Sequence, residues 1–181
     1  KELKRQDAVV ILTRLMGKEA DALATKADPS FTDITIDYYK PFLAFAEANK
    51  WIEGRGDKKF GFHDLVTLKE FSAMLLRALG YDTTGENYAK VMDLAKELKL
   101  FNGVTIKEDD KLVRGVAFIL MNNTLETNPK GEDKALVYKL GYKEVPKPQN
   151  LTVLSAEAAG LKAIDVKFSK EVDPSSISGY T

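Results

Sequence analysis

Three fifteen-residue stretches of this chain lie over one another without a gap: LKRQDAVVILTRLMG from Leu3, VTLKEFSAMLLRALG from Val66 and LVRGVAFILMNNTLE from Leu112. Ala8, Phe71 and Ala117 share one position, Ile11, Met74 and Leu120 a second, and Met16, Leu79 and Leu125 a third. A second pair of segments, Tyr39 to Gly54 and Tyr88 to Gly103, matches at an offset of 49, with Phe42/Val91, Leu43/Met92, Phe45/Leu94, Ala46/Ala95 and Ile52/Phe101 coinciding. The repeating unit is therefore a helix, a glycine-bearing loop and a second helix. Such a hairpin cannot bury its apolar faces alone, so the copies must pack around a common core. The spacing predicts a mainly α fold with helices over roughly 3–16, from Tyr39 to Trp51, from Val66 to Leu79, from Tyr88 to Phe101 and from Leu112 to Leu125. Pro41 suits a first turn, where a missing N–H costs nothing. The first copy shows only its second helix, so the sequence is expected to start inside that copy.

Composition removes several function classes. The 181 residues carry 27 Lys+Arg against 27 Asp+Glu, and a balance of +0 argues against nucleic acid as a partner, since phosphate binding rests on a basic surplus. The absence of cysteine excludes disulfides, thiol nucleophiles and zinc–thiolate sites. No apolar stretch approaches the roughly 18–20 residues of a membrane span, and Lys1-Glu2-Leu3-Lys4 is no signal-peptide start.

Phe31 to Tyr81 resembles an S-layer homology repeat. It has an F-x-D opening (Phe31, Asp33), an aromatic start to the first helix, an I-x-G exit (Ile52, Gly54), a Gly/Asp turn followed by an aromatic, and a second helix introduced by a sequence like I-T-R-A-E. The other two copies are partial or degenerate, and the resemblance covers about residues 1–143, with windows of about 1–17, 31–80 and 81–126. It implies a pseudo-threefold helical domain that anchors a bacterial, Gram-positive surface protein without catalysis to secondary cell-wall polysaccharide. The implied localisation is extracellular, in the cell wall or S-layer, with other S-layer subunits as further partners and neither membrane nor nucleic acid among them. Arg5 and Arg114 match the family's arginine, and a guanidinium beside free helix N–H groups suits the acids of pyruvylated sugars. The resemblance adds Asp33, Gly54 and Asp57 from the F-x-D, I-x-G and Gly/Asp elements to the glycan-binding set. Tyr39 and Trp51 could present an aromatic face for sugar stacking, with the core as the alternative place for Trp51. Leu68 stands where the second copy should carry arginine, Val116 where the third should carry an acid, and Val104 to Glu108 replaces the glycine-rich turn.

The remaining motifs read as local structure. His63 is the only histidine, which leaves no multi-histidine metal site and no choice of triad partner, so it is read as a loop residue near a turn. Asp109 and Asp110 are adjacent in a polar turn, a poor pair of hydrolase acids, and are expected to cap the following helix. Arg55-Gly56-Asp57 spells an adhesion tripeptide, but a turn explains it. The acceptor patterns at Asn122 and Asn150 carry little weight, and Asp33, Asp57, Asp64 and Asp109 form no calcium-loop spacing, so neither metal nor cofactor is expected. From residue 144 to 150 a proline-containing linker is predicted. After it, Leu151–Ser155 and Lys162–Phe168 alternate with the period of strands, as a hairpin opening an immunoglobulin-like module over 151–181. The functional expectation is glycan anchoring. Its alternative is a degenerate scaffold for lattice or protein contacts, and a small carboxylate-dependent hydrolase ranks last.

Overall fold

A computed structural model describes residues 1–144, 153–160 and 163–168. The chain divides into two compact units, Lys1–Lys143 and Glu144–Thr181. As the repeat predicts, the fold is mainly helical. The first unit runs α1 (Arg5–Leu15), α2 (Glu19–Leu23), α3 (Lys40–Ala48), α4 (Leu68–Ala78), α5 (Val91–Glu97), α6 (Arg114–Leu125) and α7 (Leu136–Lys139). Short 3-10 turns at Asp37–Tyr39 and Gly85–Lys90 lead into α3 and α5.

The three aligned stretches meet in a closed ring of backbone hydrogen bonds. The Leu3 N–H donates to the Leu112 carbonyl at 2.8 Å, the Leu112 N–H to the Val66 carbonyl at 2.8 Å, and the Val66 N–H to the Leu3 carbonyl at 3.0 Å. A second threefold set caps the helices: the N–H groups of Arg5, Leu68 and Arg114 donate to the carbonyls of Asp64, Asp110 and Lys1 at 2.9, 3.2 and 3.0 Å. The first N–H groups of a helix lack intrahelical partners, and here a neighbouring copy supplies one. Leu3, Val66 and Leu112 are buried at 1%, 0% and 0% exposure, so the ring closes over the top of the core.

This ring corrects the predicted helix starts. Leu3, Val66 and Leu112 were expected in first turns but are extended, because their backbone groups pair across copies; each helix begins two residues later. Asp110 does not cap α6 either. Its carboxylate accepts the Lys107 N–H at 2.9 Å, closing the turn before the extended residues, and Val113 takes the N-cap position. Among the helices of the described residues only α4 has a side-chain cap, in which Thr67 and Glu70 bond each other's backbone N–H reciprocally.

The leading helices also end earlier than expected. Lys50 and Lys99, equivalent in the repeat, take left-handed φ of 58° and 61°, and the Trp51 and Leu100 N–H groups reach back to the Ala46 and Ala95 carbonyls at 2.9 and 2.8 Å. This six-to-one closure stops a helix firmly. The core gathers Leu12, Phe42, Leu43, Phe60, Phe71, Leu75 and Leu76, all fully buried, between α1, α3 and α4 and their loops. The repeat spacing did not predict α2 or α7. Each is too short to hold itself and is fixed by tertiary contact through Ala22, or through Leu136 and Val137.

In the second unit, β1 (Val153–Gly160) pairs antiparallel with β2 (Ala163–Phe168), from Val153 opposite Phe168 to Gly160 opposite Ala163. A hairpin is thus present, its first strand running further than the sequence alternation indicated. The linker over 145–150, Leu151, Thr152 and Lys162, and the rest of the expected immunoglobulin-like module lie outside the described residues.

Leu75 is wholly enclosed, so Leu75→Ala should destabilise the domain by about 2–5 kcal/mol, read as a lower urea midpoint with little change in m-value.

Candidate functional site

The ring places the residue two positions after each of its members at a junction between copies. At one junction Arg5 from α1 faces α4. Its Nε donates to the Phe60 carbonyl at 3.0 Å and its Nη2 to the Glu53 carbonyl at 3.1 Å, while Nη1 lies 3.3 Å from Glu70 Oε1. The guanidinium also sits over the Phe60 ring, 4.7 Å from its centroid. Burial lowers the Arg5 pKa, opposed by the attraction of Glu70, and the group stays charged as guanidinium does.

Around it opens a cleft of about 200 Å³, lined by Arg5, Gly54, Arg55, Glu70, Arg77 and Tyr88 among others. Glu70 also pairs with Arg55 at 2.6 Å, and Arg77 donates to Glu53 at 2.5 Å and to the Thr83 carbonyl at 3.0 Å. Arg77 Nε is buried and has no partner among the described residues. Three arginines face Glu53 and Glu70 here, and Asp64 pairs with Arg55 from the loop side, so the charges balance. Tyr88 forms the aromatic wall, its phenol pKa raised by burial and then by the nearby Glu70. Gly54 is required where it stands, because a Cβ would lie 2.7 Å from the Lys59 carbonyl and 2.9 Å from the Phe31 ring.

The next junction repeats the arrangement. Arg114 from α6 faces α1, with Nη2 3.4 Å from Asp7 Oδ2, and a cleft of about 290 Å³ is lined by Asp7, Val10, Ile11, Arg14, Tyr39 and Arg114 among others. These six correspond position by position to Glu70, Ala73, Met74, Arg77, Tyr88 and Arg5. The Tyr39 hydroxyl donates to Asp7 at 2.8 Å, and burial together with that carboxylate pushes its pKa up to about 12. Arg114 is far more open than Arg5: the two side chains are 50% and 5% exposed.

The same step taken once more brings Leu68 and Val116 to the corresponding places at the third junction. The two departures noted in the sequence therefore belong to one groove, which has lost its cation and its acid together. Asn123, in the place of Arg77, donates instead to the Leu100 and Asn102 carbonyls, both at 2.8 Å.

The predicted site residues consequently fall in separate places. Arg5 and Gly54 share one groove, and Arg114 and Tyr39 share the other. Trp51, 9% exposed, packs edge-on against Phe45 at 5.5 Å and lines neither groove. Asp33 accepts the N–H groups of Phe60, Gly61 and Phe62 at 2.8, 2.8 and 3.0 Å, so it shapes the turn that presents the Phe60 carbonyl to Arg5. Burial alone would raise the Asp33 pKa, but these three donors hold it below the ordinary range. Asp57 is exposed in a left-handed turn at φ 49°, beside Asp33 in a shallow loop depression. The adhesion-like tripeptide is that turn, with the Arg55 side chain spent on Asp64 and Glu70. His63 bonds Thr35 at 2.8 Å and lies in the loop. The predicted site did not include Glu70 and Arg77, or Asp7 and Arg14, each pair two turns apart on one helix, nor Tyr88 on the turn before α5, because these faces meet the arginines only when the copies close.

No family model matches the chain. It is 25% identical over 131 residues to the middle cell wall protein of Brevibacillus brevis, which is 71% of this chain and 12% of that protein. It is 29% identical over 83 residues to the surface layer protein of Brevibacillus choshinensis, covering 45% of this chain and 7% of that protein. The chain thus spans a small part of the length of these relatives. No helix among the described residues is long and apolar enough to cross a membrane.

The two arginines should separate in their effect on stability. Arg5→Ala leaves the Phe60 and Glu53 carbonyls without their donor and takes one of two cations from Glu70, and should cost about 3 kcal/mol, whereas Arg114→Ala at a half-exposed pair should stay within about 1 kcal/mol, both by urea unfolding.

Asp33→Asn should lower stability at neutral pH. A carboxyl whose folded pKa is depressed stabilises above its unfolded value, near 3.9, and loses that contribution as pH falls through the folded value. The gap between variant and parent should therefore narrow below about pH 4 in thermal unfolding across pH.

Proposed function

We propose that the helical unit is a noncatalytic anchor that holds a bacterial surface or S-layer protein, outside the cell, to acidic polysaccharide of the cell wall. The observation that carries this reading is the repetition of one groove design at two junctions: an arginine at a helix start, an acid and a second arginine on the facing helix, and a tyrosine wall. The arginine donors in each suit a carboxylated sugar, which would compete with the internal acids that now pair with them, and the aromatic wall suits a sugar face. Two grooves on one rigid body can engage two residues of one polymer, so weak sites add through effective concentration. The similarity to a cell wall protein and a surface layer protein supports the same setting. The resemblance of Phe31–Tyr81 to the S-layer homology repeat supports pyruvylated secondary cell-wall polysaccharide as the ligand.

A second reading is a scaffold for S-layer lattice or protein contacts that binds no glycan. It is favoured by the internal neutralisation of both arginines, Arg5 by Glu70 and Arg114 by Asp7, and by the Leu68/Val116 junction.

Calorimetric titration with purified pyruvylated polysaccharide distinguishes the two. The parent chain should bind, and Arg114→Ala, which leaves the fold intact, should lose about 1.5–3 kcal/mol of affinity. Lysine at 114 should recover only part, since it lacks the planar fork. A parent chain that binds neither the polymer nor intact walls leaves the scaffold reading standing.

A further inference from the structure

The asparagines of this chain differ in one chemical respect. The nitrogen of the following residue can attack an asparagine amide carbon when three conditions hold: the side chain is free to turn, that N–H is not spent on a hydrogen bond, and no Cβ stands in the way. Asn49 donates to the Phe45 carbonyl at 2.8 Å, and the Lys50 N–H after it is taken by the Glu47 carbonyl at 2.9 Å. Asn87 donates to Asp82 at 3.1 Å from within its 3-10 turn. Asn122 and Asn123 lie inside α6, where the following N–H groups belong to the helix ladder. Asn128 precedes Pro129, which has no N–H to give up.

Among the described residues, Asn102 alone meets all three conditions. It is exposed, and its amide makes no hydrogen bond among the described residues. Gly103 follows it, exposed and left-handed at φ 76°, and the Gly103 N–H has no acceptor among them. The turn is held on either side, by the Asn102 N–H on the Lys99 carbonyl at 3.2 Å and the Val104 N–H on the Phe101 carbonyl at 2.9 Å, so the reactive pair stands at its tip.

The repeat gives this place a meaning. Asn102 stands where Glu53 stands in the preceding copy, and Asn123 where Arg77 stands. Glu53 pairs with Arg77 at 2.5 Å, whereas the Asn123 amide donates to the Asn102 carbonyl at 2.8 Å. The junction without a cation at Leu68 or an acid at Val116 thus also carries a neutral amide where the Arg5 groove carries a carboxylate.

We propose that Asn102–Gly103 is a site of spontaneous modification, at which this third groove gains a negative charge as the protein ages. The Gly103 nitrogen, its proton taken by solvent hydroxide, attacks the Asn102 amide carbon. The bond from that carbon to the side-chain nitrogen breaks, the nitrogen takes up a proton and leaves as ammonia, and a five-membered succinimide closes. Water then adds to one of the two ring carbonyl carbons and breaks its bond to the Gly103 nitrogen, which takes back a proton. Opening at the side-chain carbonyl gives aspartate on the original main chain. Opening at the main-chain carbonyl gives isoaspartate, in which the chain runs through the side chain and the oxygen that received Asn123 becomes part of a carboxylate. One water is consumed and one ammonia released, with no oxidant or reductant.

The folded parent chain is incubated at neutral and at mildly alkaline pH, digested under acid conditions and read asparagine by asparagine in the mass spectrometer, with isoaspartate counted by isoaspartyl methyltransferase labelling. Asn102 should react at least about tenfold faster than any other described asparagine, faster at the higher pH, and give both products. Asn102→Gln, which has to close a larger ring, should remove the reaction at that position. Asn102→Asp should reproduce the late-eluting species of the aged parent on anion exchange and keep its thermal midpoint nearly unchanged. Asn102 left intact, or reacting no faster than another described asparagine, overturns the proposal. A product containing aspartate alone overturns it as well, since direct hydrolysis passes through no ring. The incubation is repeated in urea below the unfolding transition: an unchanged rate at Asn102 supports reaction at the exposed turn of the folded chain, and a rate that climbs in step with the other asparagines overturns it.

Discussion

Everything in the helical unit hangs on three backbone hydrogen bonds, those that link Leu3, Leu112 and Val66 head to tail. A helix start leaves N–H groups without partners, and burying such a group unpaired is costly. Beside the ring, the first N–H groups of α1, α4 and α6, those of Arg5, Leu68 and Arg114, each take a carbonyl from another stretch of the ring, and α4 adds its own Thr67–Glu70 box. The ring thereby fixes register: a slip of one residue at one junction would break bonds at the other two. It also decides what the grooves are made of. Because α1, α4 and α6 begin two residues beyond the ring, Arg5, Leu68 and Arg114 are delivered to junctions, opposite a side chain of another copy.

A composite groove carries its own electrostatic rule. A guanidinium as enclosed as that of Arg5 needs a carboxylate and carbonyl acceptors, and removing one member of such a set leaves the rest unpaired. The third junction obeys this rule by having neither member: Leu68 is 1% exposed and apolar, and Val116 stands where an acid would. A charged residue at only one of these places would be an uncompensated charge against the core. Seen in sequence, the two replacements lie in different copies and look like independent losses. In three dimensions they fall at one junction, where neither the cation nor the acid of the other two is present.

That difference marks how far the sequence could be read. The gapless alignment carried the helices, their order and the mainly α fold, because a 3.6-residue apolar stripe is a local signal. The same stripe ran through Leu3, Val66 and Leu112 and placed them in helices, since an apolar residue that packs from an extended start has the same spacing as one in a first turn. Asp33 and the Phe60–Phe62 turn were both visible as motifs, but that the carboxylate serves three N–H groups of that turn is a contact across 27 to 29 residues. For the grooves, the arginines stood out by their equivalent positions. Their partners did not, because which copy stands next to which is a property of the closed ring and not of any one repeat. Trp51 could be a stacking face or core by its spacing, and the left-handed Lys50 before it turns it inward against Phe45.

The two charged grooves share a design but cannot contribute alike. Arg5 is held on three sides by Glu70 and the Glu53 and Phe60 carbonyls, so an anion that enters its cleft meets a guanidinium whose donors are largely committed to the fold. What the cleft still offers is the part-exposed guanidinium of Arg55, itself paired with Asp64 and Glu70. Arg114 has a single, longer contact to Asp7 and half its surface in solvent. Its pairing is weak and screened, and turning it towards a ligand carboxylate costs little. Binding at this second groove can therefore use its arginine directly, while binding at the first must use the side chains around its arginine. Of two arginines at the same repeat position, the enclosed one is committed to structure, and the more exposed one is free to act on a ligand.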